Sequence, residues 1–110
     1  MAGNQRAKND AVRTSLANEG DDGAAERTIT HYAYPLAGAD PARRPAMIVA
    51  LRSQGFAVRD AASAHGLVME HKGAVAPEDF DAFTEQLEDW FRALGWDYDG
   101  WECAVVRSLN

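Results

Sequence analysis

The stretch from Pro77 to Gly95 narrows the fold more than any other part of the chain. Phe80, Phe83, Leu87, Trp90, Phe91 and Leu94 recur at helical spacing and form one broad apolar stripe. Pro77 suits the helix start, and Glu78, Asp79 and Asp81 fall in the first turn, where acids complement the helix dipole. Glu88 and Arg92 are spaced to pair, and Gly95 closes the helix. So wide a stripe has to be covered, and the segments around it read as strands. A helix packed on a sheet places the chain in the α+β class.

Read in order, the remaining segments fit that class. Residues Asn4 to Leu16 are helix-permissive, but only Ala7, Ala11, Val12 and Leu16 are apolar. A short helix of this kind is marginal in water unless it docks. Two glycines among acids, Gly20 and Gly23, then break regular structure. Residues 1–25 are therefore expected to form an N-terminal arm, partly helical or disordered and loosely attached, with the domain running from 26 to 110.

Arg27 to Tyr34 is rich in β-branched and aromatic residues and reads as the first strand, ended by Pro35. Asp40-Pro41 can open a helix whose apolar side is Ala46, Met47, Ile48, Ala50 and Leu51 and whose stop is Gly55. Pro45 leaves two alternatives: a start near Arg44, or an irregular first turn. Phe56–Arg59 and Leu67–Lys72 are the second and third strands, linked so briefly that they form an antiparallel hairpin. Trp96 to Cys103 is the fourth strand, and Ala104-Val105-Val106 reads as its buried end. The order β-α-β-β-α-β is the ferredoxin-like arrangement: a four-stranded antiparallel sheet, the fourth strand beside the first, and two helices on one face.

Charge limits the function. The formal net charge is −6, and from Pro77 to Glu102 nine acids face Arg92 alone. Phosphate binding needs clustered Lys and Arg, so nucleic acid is excluded as a direct partner, and a basic protein surface is favoured. Cys103 is the single cysteine and can form no internal disulfide. No apolar run approaches the roughly 18–20 residues of a membrane span, and the N-terminus has no apolar signal core. A soluble cytoplasmic protein is expected.

His31, His65 and His71 show no metal-ligand spacing with one another or with Cys103, and no glycine-rich phosphate loop follows a strand. Neither metal nor cofactor is expected, and His71 is expected to face solvent. Asp97, Asp99 and Glu102 make the best case for acid–base chemistry: on a regular strand Asp97 and Asp99 share a face, and His31 lies on the neighbouring strand. Gly100, however, invites a bulge that breaks the alternation. Acids on a sheet edge are also common solvating charges. No catalytic residue is assigned. Cys103 beside acids is expected to be a small buried residue with a normal or raised thiol pKa.

Tyr98-Asp99-Gly100-Trp101, following an amphipathic helix closed by Gly95, resembles the closing motif of the RraB family, regulators of ribonuclease E activity. Thr28-Ile29-Thr30-His31-Tyr32 is similar to that family's first strand and Gly55-Phe56-Ala57-Val58 to its entry into the second. Leu16 followed by Asn18-Glu19-Gly20-Asp21 is similar to its helix end and acidic turn. The resemblance runs from about Asn9 to Val105. It implies a non-catalytic, cofactor-free protein that binds ribonuclease E and inhibits it, altering RNA turnover. It also implies a physical fit, because ribonuclease E carries Arg-rich segments that an acidic protein engages.

The partner-binding surface is expected at Glu85, Glu88, Asp89, Asp97, Tyr98, Asp99 and Glu102. Tyr98, Asp99, Gly100 and Trp101 also serve as a structural signature. The alternative is a ferredoxin-like module binding a small ligand or another protein, in an apolar cleft over the open sheet face.

Overall fold

In a computed structural model, residues 4–107 are described. The first three residues of the expected arm and the last three of the expected domain lie outside them. Helix α1 spans Asn4–Asn18, strand β1 Arg27–Pro35, helix α2 Arg44–Ser53, β2 Ala57–Asp60, β3 Leu67–Gly73, α3 Asp79–Ala93 and β4 Trp96–Cys103. The strands form one sheet in the order β2-β3-β1-β4, and every neighbouring pair is antiparallel. The fourth strand does lie beside the first. Pro45 is accommodated by both expected devices together: a 3-10 turn at Pro41–Arg43, capped by Asp40, precedes a helix that starts at Arg44.

One sheet face carries the core. Ala33 of β1, Val58 of β2, Leu67 and Met69 of β3, and Trp96 and Tyr98 of β4 meet Met47 and Leu51 of α2 and Leu87 and Phe91 of α3. The predicted stripe divides by depth. Phe80, Leu87 and Phe91 are buried, whereas Phe83, Trp90 and Leu94 pack at the margin. A second, smaller cluster joins Leu16 of α1 to Ile29, Val75 and Phe80, with Val12 and Trp101 beside it.

Helix α1 docks on α3 rather than hanging free. Leu16 and Val12 give it a small apolar contact, and its polar residues add the directed bonds. Arg13 grips Asp81 of α3 through both carboxylate oxygens, at 2.8 and 3.0 Å, and also donates to the Val75 carbonyl at 3.1 Å. Arg6 pairs with Glu85 at 2.6 Å. Asp81 therefore does more than complement a helix dipole. Only 2% exposed, it is the anchor of a buried ion pair, and removing its partner would leave an uncompensated charge.

The turn after α1 is fixed in a similar way. Asp21 and Arg27, both buried, form an ion pair. Asp21 also accepts from the backbone N–H of Gly23 at 2.8 Å and of Val106 at 2.9 Å. Ala104–Val106 is thus not the buried end of a strand. β4 stops at Cys103, Val105 is exposed, and the segment is held by side chains instead of a ladder.

Candidate functional site

The Tyr98-Asp99-Gly100-Trp101 stretch is a β-bulge. Tyr32 of β1 stands opposite Gly100, and the next residue, Ala33, stands opposite Tyr98, so Asp99 is left without a cross-strand mate. One extra residue reverses the alternation of side chains. Trp96 and Tyr98 before the bulge, and Trp101 and Cys103 after it, therefore all face the helices, against the two core clusters. Gly100 makes the reversal possible with a φ of +105°, a value L side chains rarely adopt; a Cβ there would meet nothing within 4 Å, so the constraint is in the backbone alone.

Past the bulge, Trp101 reaches α1. Its indole N–H donates to Asn9 Oδ1 at 2.7 Å, and Phe80 packs edge-on to its ring, centroids 4.7 Å apart. Asn9, fully buried, uses its whole amide. Oδ1 also accepts from Gln5 at 2.9 Å, while Nδ2 donates to Asp81 at 2.9 Å and to Thr84 at 2.8 Å. The family-like motif on β4 and the N-terminal helix are thus parts of one hydrogen-bonded unit. No sequence pattern marked Asn9, because a polar residue on a weakly amphipathic helix looks like a solvated one.

The sheet face away from the helices carries Thr30, Tyr32 and Tyr34 of β1, Glu70 and Lys72 of β3, Arg59 of β2, and Asp97 and Glu102 of β4, as the registers require. Tyr32 donates to Glu102, which holds the phenol above its usual pKa. Thr30 donates to Glu70 at 3.2 Å. The acids gather toward β4 and the bases toward β2. Tyr34 lies so close over Gly66 that a Cβ there would come within 2.5 Å of its ring. That contact ties the β2–β3 loop to β1.

The expected partner residues separate into three groups. Asp97, Asp99 and Glu102 are exposed on β4. On α3, Asp89 is exposed and pairs with Arg92 at 2.8 Å; Glu85 is engaged by Arg6 and Glu88 by Arg92 at 3.4 Å. These α3 acids lie in the helical layer, behind the sheet as seen from the β4 acids.

Tyr98 is withdrawn from the surface set. It is 4% exposed, and its hydroxyl faces inward to His31. Nor do Asp97, Asp99 and His31 converge. His31 is fully buried under the helices, whereas Asp97 alternates outward between Trp96 and Tyr98.

Sequence reasoning missed the group that His31 does join. His31 Nδ1 lies 2.7 Å from the Tyr98 hydroxyl, and its Nε2 lies 2.8 Å from Nε2 of His71, with the two imidazoles stacked. His71 is thus half-buried against the core and not a solvent-facing strand end. Burial, with a smaller effect of the neighbouring His71, pushes the His31 pKa down to about 3. Burial also lowers His71. Tyr98 is raised, first by burial and then by the Glu88 charge. At neutral pH all three are uncharged. The phenol is the natural donor, so the chain of bonds runs Tyr98 O–H to His31 Nδ1, then His31 Nε2–H to His71 Nε2. The signal for this was present only in the register, since Tyr98, His31 and His71 lie far apart in sequence.

Cys103 is half-buried, and its thiol is raised mainly by burial, with Arg27 opposing. That environment disfavours a nucleophilic thiolate. Among the described residues, no three His, Cys, Asp or Glu side chains are grouped to hold a metal ion. No helix among them is long and apolar enough to cross a membrane.

A family model described as RraB, regulator of ribonuclease activity B, matches residues 6–103. The chain belongs to the RraB family. The match takes in α1 as well as the sheet, in keeping with the bonds that join Asn9 to Trp101. It makes this RraB-family chain a regulator of ribonuclease activity, which implies a protein partner. No curated protein matches the chain.

Proposed function

We propose that the chain is a non-catalytic, cytoplasmic inhibitor of ribonuclease E that acts by binding it. We further propose that its contact surface is the β4 half of the uncovered sheet face: Tyr32 and Tyr34 with Asp97, Asp99 and Glu102. The strand order supports reading the body as a ferredoxin-like module, in which the face opposite the helices is the customary binding platform. The observation that carries the reading is the joining of two tyrosines to this row of acids on a face that no helix among the described residues covers. Aromatic rings with flanking carboxylates suit Arg side chains, which stack on the former and pair with the latter. The α3 acids are secondary, because Arg6 and Arg92 already engage them.

The test is calorimetric titration against the Arg-rich scaffold segment of ribonuclease E, run beside an RNA cleavage assay. Wild type is expected to bind and slow cleavage, more weakly as salt rises. The double variant Asp97→Lys, Glu102→Lys is expected to bind at least about tenfold more weakly, while Glu85→Lys changes affinity less. Absence of binding at low salt with the scaffold present would rule out the named partner. Equal binding by the double variant would rule out the surface.

A further inference from the structure

A cavity of about 340 Å³ opens between the end of α2 and the middle of α3, beside the start of β2. It lies on the helix-covered side, not over the open sheet face where a ligand cleft was expected. Its size falls at the lower end of the roughly 300–1,000 Å³ typical of small-molecule sites. Phe56, Phe83, Leu87 and Trp90 form its walls, the exposed amides of Gln54 and Gln86 stand at its rim, and His71 lines it.

Two features go beyond an accidental gap in packing. The first is the character of the lining, which contains aromatic rings and amides but no Asp, Glu, Lys or Arg. The second is the Tyr98–His31–His71 chain of bonds that ends at the cavity. Three polar side chains inside a core are costly compared with apolar residues of like shape, unless every group is used. The chain of bonds consumes the Tyr98 proton and the His31 proton and leaves the Nδ1–H of His71. Among the described residues no side chain or carbonyl accepts from that donor, and it is not one of the buried groups left without a partner. On the half-buried His71 it is therefore open to water or to a ligand at the cavity.

We infer that this cavity is a binding site for a neutral, flat aromatic molecule with one hydrogen-bond acceptor. The rings of Phe56, Phe83 and Trp90 take its faces, and His71 donates to its acceptor. A charged ligand is disfavoured, because it would lose water against walls that offer no opposite charge. The buried imidazoles stay neutral near pH 7, so they supply no cation for an anionic ligand either. The site is separate from the β4 surface proposed for ribonuclease E, on the other side of the sheet.

The test uses the full chain near pH 7.5 and three probes of one size: benzamide (neutral, with a carbonyl acceptor), benzoate (anionic) and benzylamine (cationic). Binding is followed by NMR at the Trp90 indole, the Phe83 ring and the His71 imidazole. Benzamide is expected to shift these signals saturably below ~10 mM, as is usual for so small a probe, with benzoate and benzylamine at least about tenfold weaker. Ala50→Phe, which places a ring in the cavity from a half-exposed helical position, should abolish the shifts. If that variant does not fold, Gln86→Trp fills the same space from an exposed position on α3. Non-saturating benzamide shifts, equal binding of the charged probes, or undiminished binding in a folded cavity-filling variant would each overturn the site.

Discussion

The two halves of the interior are built on different principles. Around Phe91, Leu87 and Met69, apolar side chains from α2, α3 and all four strands interlock, and the His31–Tyr98 pair is enclosed among them. Around Asn9 and Asp81, the contacts are charges and amides aimed one at another, with Leu16 and Phe80 as a small apolar base. The first half is held by area removed from water, a non-directional force that tolerates small shifts in angle. The second is held by directed bonds that fail together once one member is lost. One region is a core; the other is a clasp.

The difference can be tested, starting with the largest effect. Phe91→Ala removes a fully buried ring from the larger cluster and is expected to cost about 3–5 kcal/mol. In urea unfolding the whole domain should lose stability as one unit; a loss below about 1 kcal/mol would show that the cluster is not the core. Asp81→Ala leaves Arg13 and Asn9 without their buried partner and should cost about 3 kcal/mol. Here the loss should be local. Amide hydrogen exchange is expected to quicken across α1 well before it does in β1 and β3, and uniform quickening would erase the distinction between clasp and core.

Acid separates the halves by pH window. His31 has its folded pKa lowered to about 3 from an unfolded value near 6.5. Below pH 6.5 the unfolded chain takes up a proton that the folded chain refuses. Stability is thus full above about pH 6.5 and falls steadily as pH drops toward 3, giving about 2 kcal/mol less at pH 5 than at pH 7.5. Asp81 is pulled below its ordinary carboxylate value: burial opposes this, but the bonds from Arg13 and Asn9 prevail. Asp21 is lowered chiefly by Arg27. Their contribution persists until the pH falls below about 4. The core is therefore expected to weaken before the clasp does, and a flat stability profile between pH 7.5 and 5 would contradict the neutral, buried His31. The smallest change is at the bulge. Gly100→Ala should cost about 1–2 kcal/mol from backbone strain alone; a near-zero effect on the melting temperature would mean that the chain relaxes there.

The same division explains what could be read from the sequence. Phe80, Leu87 and Phe91 announce a helix through their spacing, and the strands around them announce a sheet, because apolar burial leaves a periodic trace. Directed polar contacts leave none. Asp81 has the same place in sequence as an acid on a helix dipole, and the approach of Arg13 and Asn9 sets it apart. In the sequence Tyr98 reads as a surface residue and His71 as a solvated one, since their partner, His31, is supplied by register across strands. The bulge lies between these cases. Gly100 signalled it, but its effect on which way Trp101 points depends on the position opposite Tyr32.

The bulge also governs how β4 meets other chains. β4 is an outer strand of the sheet, with a row of backbone donors and acceptors that another strand could otherwise zip onto. An unmatched Asp99, the twist around Gly100 and the outward charges of Asp97 and Glu102 spoil that row for continuous pairing. The edge is thereby protected against self-templated pairing. Under the contact surface proposed above, a partner would be directed to the side chains of β4 and away from its backbone. Recognition on that proposed surface would rest on residue identity, which substitution can tune, and not on generic strand addition, which any extended peptide could imitate.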